Sequence, residues 1–411
     1  MPTIIEAKQV IQSAPRGLPA LCFLQRRPLG TSVRVCAMGD IGFHGKARTV
    51  GDRNGYEWMF NTLNPVLRTA QVVFGNLESS LTDNPPRPGC FGGPRLAADG
   101  LTQAGFTLLH LANNHAYDFG AEGCASTMLA LEKAGLGILG AGSTPEAARR
   151  LVRTDASGIR IGWLGCGRTL RSQTLGGANY WEFNEESLIT GIRQSKAEVD
   201  FLVVSVHAGY EYIEIPSPER KATAERCLSE GAKLVLMHHS HVLEGVQARE
   251  GKGVVCYGLG NLLFDSAGGV VQIDTMLEER SRSAVFVFDI DAQGICFAGA
   301  LPVFVNEEFR LEWALGSKGK QALEHLAILS QLLEGNSSAA FEQQRAERNV
   351  GPVFAVLWYA LSHREWAILT DMVRRIRLRN ALMLIRWLWH HSFNQLTTYL
   401  PFSKRTKGRE A

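Results

Sequence analysis

Residues 107–120 read Thr-Leu-Leu-His-Leu-Ala-Asn-Asn-His-Ala-Tyr-Asp-Phe-Gly. An apolar run stops at Asn113, and the next few positions carry Asn114, His115 and Asp118. Asn disfavours strand interiors, so two amides in a row mark the end of a strand. In open α/β sheets the carboxyl ends of strands hold side chains rigidly at a crevice, and ligands bind there. Four other apolar runs end in the same way. Asp40 follows the strand at 33–40, and Asn76 and Glu78 follow the one at 72–76. His207 ends the run at 201–207, and His238, His239 and His241 follow the run at 233–238. Five polar strand ends imply one convergent site, and imidazoles mixed with carboxylates imply a metal.

The segments between these ends set the fold class. Helix-like stretches at 55–69, 121–134, 185–198 and 217–230 alternate with strands at 107–112, 137–142, 159–165 and 201–207. Such alternation is the pattern of an α/β sheet system. After residue 250 the pattern changes to successive strands at 253–257, 270–276, 284–289 and 294–305, which predicts antiparallel pairing. Residues 84–94 hold four prolines and predict a loop. The organisation expected is an irregular N-terminal arm over 1–30, a main domain over 31–315 and a helical region over 316–411.

Each motif also has a plainer reading. Asp40 suits a turn as well as a cation, and His44 suits a polar loop. Asn76 and Glu78 lie two apart and so face one side of an extended backbone, or else form an Asn turn with a solvated Glu. Asn114 offers a neutral ligand oxygen, His115 a ligand or an acid, and Asp118 an acceptor that orients His115; the same residues suit a helix cap before Gly120. His207 alone reads as a core histidine. The His238-His239-Ser240-His241 cluster is the strongest metal signal. A mixed N/O set favours Zn, Mn or Fe over Ca or Mg.

Taken in order, the run Gly39-Asp40, Asn76-Leu77-Glu78, Asn113-Asn114-His115 with Asp118 and Gly120, His207-Ala-Gly209, His239-Ser240-His241 and Gly260-Asn261 resembles the CapA family. These are the poly-γ-glutamate capsule synthesis proteins, within the calcineurin-like metallophosphoesterase superfamily. The resemblance spans roughly residues 33–305. It implies a four-layer α-β-β-α sandwich with a C-terminal helical extension, and two divalent metal ions at the strand ends. By that resemblance Asp40, Glu78, Asn114, His207, His239 and His241 are metal residues, while His115 and Asp118 are catalytic. The superfamily has Asp-x-His at its first motif, whereas this chain has Gly42 at the His position. The superfamily's bridging carboxylate follows Gly, whereas here Asn76 follows Gly75, which leaves Glu78 for the bridging role. Either one metal position is weakened or the reaction is changed.

Composition narrows the partners. The 411 residues carry a formal charge of +3, with 45% hydrophobic and 20% charged residues, an ordinary globular balance. Residues 351–411 hold 10 Lys+Arg against 3 Asp+Glu, which leaves 33 against 37 elsewhere. That tail is too weakly basic to argue for nucleic acid. Its stretch 374–389, with Trp387, Trp389 and several Arg, suits either a lid or an anionic membrane surface. Eight scattered cysteines without a CxxC pair, and 1–30 without a signal-peptide pattern, predict a cytoplasmic protein, with the inner-membrane periphery as the variant. The expected partners are an anionic polymer or phosphoester substrate and membrane proteins of capsule synthesis. The functions in competition are a hydrolase or transferase of polymer synthesis, a phosphoesterase of small substrates, and a non-catalytic assembly factor.

Overall fold

The computed structural model describes residues 2–87, 89–168, 179–265, 282–335, 337–346 and 348. The chain divides into two compact units, Met1–Ser337 and Ser338–Ala411.

The core of the first unit is a pair of sheets. Along the main path of the larger one the strands run Thr3–Glu6, Pro19–Gln25, Gly294–Val305, Ser283–Asp291, Val33–Ile41, Val72–Leu77, Leu108–His110 and Gly137–Leu139. The last four are parallel to one another, as the strand–helix alternation predicts. Ser283–Asp291 and Gly294–Val305 pair antiparallel, as expected for the second half of the chain. The smaller sheet runs Val152–Ala156, Ile159–Gly167, Phe201–His207, Leu234–His238, Gly253–Cys256 and Val246–Arg249. Its four inner strands are parallel.

Three apolar clusters define the layers. Side chains alternate across a strand, so Val33, Val35 and Ala37 point one way and Cys36 and Met38 the other. The first set meets Trp163, Val203 and Leu234 of the smaller sheet. Phe74 and Trp163 stack across this seam with ring centroids 5.4 Å apart. Cys36 and Met38 instead meet Met59, Phe60, Leu101 and Leu131 on the helical side. The outer face of the smaller sheet, through Leu164, Val204 and Val235, packs on Leu188, Ile189, Ala224 and Cys227. Those four belong to the helices Glu185–Ser195 and Pro218–Glu230. The order helix, sheet, sheet, helix is the α-β-β-α sandwich. Both sheets are covered on both faces, which explains why their parallel strands read as continuous apolar runs. The two outer helices start where the side chains of Asn184 and Ser217 accept backbone N–H groups of Ser187 and Arg220.

Several expectations need correction. Residues 1–30 are not an irregular arm, since Thr3–Glu6 and Pro19–Gln25 extend the larger sheet. The helix placed at 55–69 is a 3-10 segment at Glu57–Leu63 and a short turn of helix at Asn64–Leu67, and the longer helix lies before it at Gly45–Asn54. Gly51 inside Gly45–Asn54 hides that helix from propensity, but a Cβ there would sit 2.4 Å from the Tyr56 ring. The strand expected at 270–276 and the Trp/Arg-rich stretch 374–389 lie outside the described residues. Gly316–Leu332 is helical and sits in the first unit, with Leu323 and Leu326 in the inter-sheet cluster. No helix among the described residues is long and apolar enough to cross a membrane.

Candidate metal centre

The polar strand ends meet at one rim of the seam between the sheets. Register brings Asp40 beside Asn76 and Asn261 on the larger sheet, and His207 beside His238 on the smaller. Two glycines let the backbones close in. A Cβ on Gly39 would stand 1.8 Å from the Gly260 carbonyl oxygen, and one on Gly167 would stand 1.7 Å from that of Ala112. The second contact brings the strand end before Asn113 against the smaller sheet.

The larger sheet supplies the oxygens. Asp40, Asn76, Glu78 and Asn113 are wholly buried. Asn76 Nδ2 donates to Asp40 Oδ1 at 2.7 Å and lies 3.1 Å from His207 Nδ1. Asn113 Nδ2 in turn donates to Asn76 Oδ1 at 3.3 Å and to the Leu77 carbonyl at 2.8 Å. Asn76 is therefore a strut between the two sheets. Asn114 Oδ1 lies 2.6 Å from His207 Nε2. Asp118 Oδ2 lies 2.8 Å from His115 Nδ1, and His115 Nε2 lies 3.9 Å from Glu78 Oε1.

The smaller sheet supplies the nitrogens. His207 Nε2 is 3.6 Å from Glu78 Oε1 and 3.2 Å from His239 Nδ1. His241 Nδ1 is 3.3 Å from Asp40 Oδ2, and its Nε2 is 3.7 Å from Glu78 Oε1. His239 and His241 hold φ of 87° and 57°. That conformation costs a non-glycine residue roughly 1–3 kcal/mol and clusters at functional sites. A backbone bond from Tyr212 N to the Ser240 carbonyl at 2.7 Å pins the strained turn.

Charge and burial set the protonation states. Burial alone would raise the Asp40 carboxyl, but the imidazoles of His238 and His241 hold it well below the usual carboxylate range. Glu78 goes the other way: burial, aided by the negative charge of Asp40, pushes it well up against the pull of His241. Burial lowers His207 well below the ordinary imidazole value and takes His239 to about 3. Both therefore present neutral rings at neutral pH. His241 is raised well above the ordinary value because Glu78 and Asp40 outweigh its desolvation.

Donor atoms of two residue groups lie within 4.8 Å of one another: Glu78, His207 and His239, and Asp40, Glu78 and His241. Glu78 belongs to both. Both of its carboxylate oxygens, and Asp40 Oδ2, are buried without a hydrogen-bond partner. A buried carboxylate is normally paired or ligating. Orphaned oxygens facing the imidazoles of His207, His239 and His241 fit a divalent cation in kind and number of donors.

All eight residues expected from the sequence thus lie at this rim, with Asn114 beside the first group and His115 and Asp118 at its edge. Three residues that the sequence reading named but left out of the metal and catalytic set support the site. Asn76 is the inter-sheet strut. His238 Nδ1 lies 3.4 Å from Asp40 Oδ1 beneath the site. Asn261 Oδ1 lies 2.9 Å from His241 Nδ1 and fixes that ring. Asn261 had a signal, the tight Gly258–Gly260 turn before it. His238 stood in the histidine cluster, but as the last residue of its strand it turns into the seam, against Phe74 and His110.

Comparison with known proteins agrees with this geometry. Residues 34–266 match the bacterial capsule synthesis protein PGA_cap family. The capsule biosynthesis protein CapA of Bacillus anthracis is 31% identical over 245 residues, covering 56% of this chain and 59% of the relative. The PGA biosynthesis protein CapA of Bacillus subtilis strain 168 is 30% identical over 240 residues, covering 56% and 62%. The chain thus spans less than two thirds of the length of these relatives. Among solved structures, a novel phosphatase of Mycoplasma pneumoniae aligns with a TM-score of 0.43 at 14% identity, covering 67% of this chain and 95% of that one. That likeness is too distant to add to the argument. The family match takes in every strand end of the rim, from Asp40 to Asn261, and on that extent the chain belongs to the bacterial capsule synthesis protein PGA_cap family.

Proposed function

We propose that this protein is a two-metal hydrolase or transferase acting on an anionic polymer of the capsule, of the poly-γ-glutamate type, or on an exopolysaccharide. The observation that carries the reading is Glu78, a wholly buried carboxylate shared by two ligand groups with both oxygens unpartnered. One site would be held by Glu78, Asn114, His207 and His239, and the other by Asp40, Glu78 and His241. Divalent cations such as Mn, Fe or Zn would supply electrophilic polarisation and an activated water.

The protein's own groups have separate tasks. Asp118 accepts from His115 Nδ1 and so fixes the ring with Nε2 toward Glu78. Nε2 is the atom placed to pass a proton to a leaving group. Asn76 binds no cation in this scheme. It ties Asp40 to His207, so that the oxygen and nitrogen sides keep one spacing. The same proposal places the protein on the cytoplasmic side, near membrane proteins of capsule synthesis.

The test is metal content with turnover of purified protein on the polymer. About two Mn, Fe or Zn per chain is expected, with polymer cleavage or transfer lost in His115→Ala by roughly a hundredfold or more at unchanged metal content. Turnover confined to aryl phosphates would replace the polymer by a small phosphoester. Full capsule in a deletion strain carrying His115→Ala would make the protein an assembly factor.

A further inference from the structure

We propose that Phe91 is a positioning residue for His115, and that it does so as the middle ring of a three-ring stack. The inference rests on the proton-donor role given to His115 above. Phe91 lies in the proline-rich loop, just before the short strand Gly92–Gly93. Its backbone N–H donates to Asp118 Oδ2 at 2.6 Å. The same oxygen lies 2.8 Å from His115 Nδ1. The Phe91 ring stacks on His115 with centroids 3.8 Å apart and planes 18° apart. It also stacks on His44 at 3.9 Å and 5°. Two rings at such distances cannot share one face, so Phe91 lies between them. Phe264 closes its edge at 5.3 Å in a T-shaped contact. The far ring is anchored as well, with His44 Nε2 3.0 Å from the Asp265 carbonyl oxygen.

This arrangement excludes one role and assigns another. Both faces of Phe91 are taken, so it offers no platform for a planar group of a substrate. What remains is mechanical. The contact between His115 Nδ1 and Asp118 fixes one atom of the imidazole and leaves the ring free to swing about it. The Phe91 face fixes the plane. Together they keep Nε2 directed at Glu78, 3.9 Å away. The loop therefore holds the His115–Asp118 pair twice, through its backbone N–H and through its ring. His44, read from the sequence as a polar loop residue, serves as the backing of this stack.

The test compares wild type, Phe91→Leu and Phe91→Tyr in the full-length, metal-loaded protein. In imidazole NMR spectra, with His115 assigned by its absence in His115→Gln, the wild-type ring protons resonate upfield because they lie over Phe91. In Phe91→Leu they move downfield and broaden. Turnover falls about tenfold in kcat, the rate equivalent of one lost aromatic contact, while KM and metal content stay unchanged. Phe91→Tyr restores both the resonance and the rate. His115 resonances that stay in place in Phe91→Leu would overturn the assignment, as would a loss confined to KM. The NMR arm needs no turnover. An inactive wild type would therefore sink the hydrolase reading and leave Phe91 to be decided by the spectrum.

Discussion

The two sheets bring different chemistry to the same rim. The larger sheet ends in carboxylates and amides, Asp40, Asn76, Glu78, Asn113 and Asn114, and the smaller ends in imidazoles, His207, His238, His239 and His241. Neither set alone makes a site. The carboxylates are buried and short of partners, and two of the imidazoles are held neutral by burial. Each half is therefore unfavourable until the other, and a cation, completes it. The apolar seam beneath them sets the spacing between the two halves.

Four experiments break or sharpen this contrast. Glu78→Gln removes the one group common to both ligand sets. Metal affinity should fall by more than the roughly 10- to 100-fold typical of losing a supporting residue, at both positions together, as read by metal analysis after dialysis. Loss of one metal only would make Glu78 a ligand of one set. Trp163→Ala empties the seam without touching the rim. Folding stability should fall by about 3–5 kcal/mol in denaturant unfolding, with metal binding weakened in parallel. The third outcome runs against intuition. In metal-free protein, Glu78→Gln should raise stability at neutral pH relative to acid pH, because wild-type folding must there either bury the Glu78 charge or take up a proton.

The smallest effect concerns Glu244, which pairs with Arg220 behind the His239–His241 turn. Burial raises the Glu244 carboxyl to about 7 despite the pull of Arg220. The folded state then keeps a proton that the unfolded chain releases near the ordinary value. This contribution is whole below about pH 4.5 and declines as pH rises toward 7. Wild-type melting temperature should therefore drop between pH 5 and 7.5 relative to Glu244→Gln. Parallel curves for the two proteins would refute the shift.

The sequence was informative where one residue carried both signals, an apolar run and its polar stop. Asp40, His115, His207 and the His239–His241 pair were legible for that reason. The sandwich followed from strand–helix alternation together with the family resemblance. What stayed hidden depended on neighbours distant in the chain. Pro19–Gln25 looks irregular because Pro19 and the Arg-rich stretch after it mask a strand defined by its pairing with Gly294–Val305. Asn76 looked like a lost ligand until His207, 131 residues away, appeared within reach of its amide. Phe91 carries no motif at all. Its partners converge from three separate segments.

The first thirty residues also bear on how the protein is handled. Thr3–Glu6 and Pro19–Gln25 cover the flank of the twelve-residue strand Gly294–Val305. A shortened version starting near residue 31 would match the family segment well and yet lay bare that strand's N–H and C=O groups. Long uncovered edges of this kind template pairing with other chains. Such a version should precipitate or form sheet-paired oligomers. Its failure in an assay would then report self-association rather than a missing catalytic group.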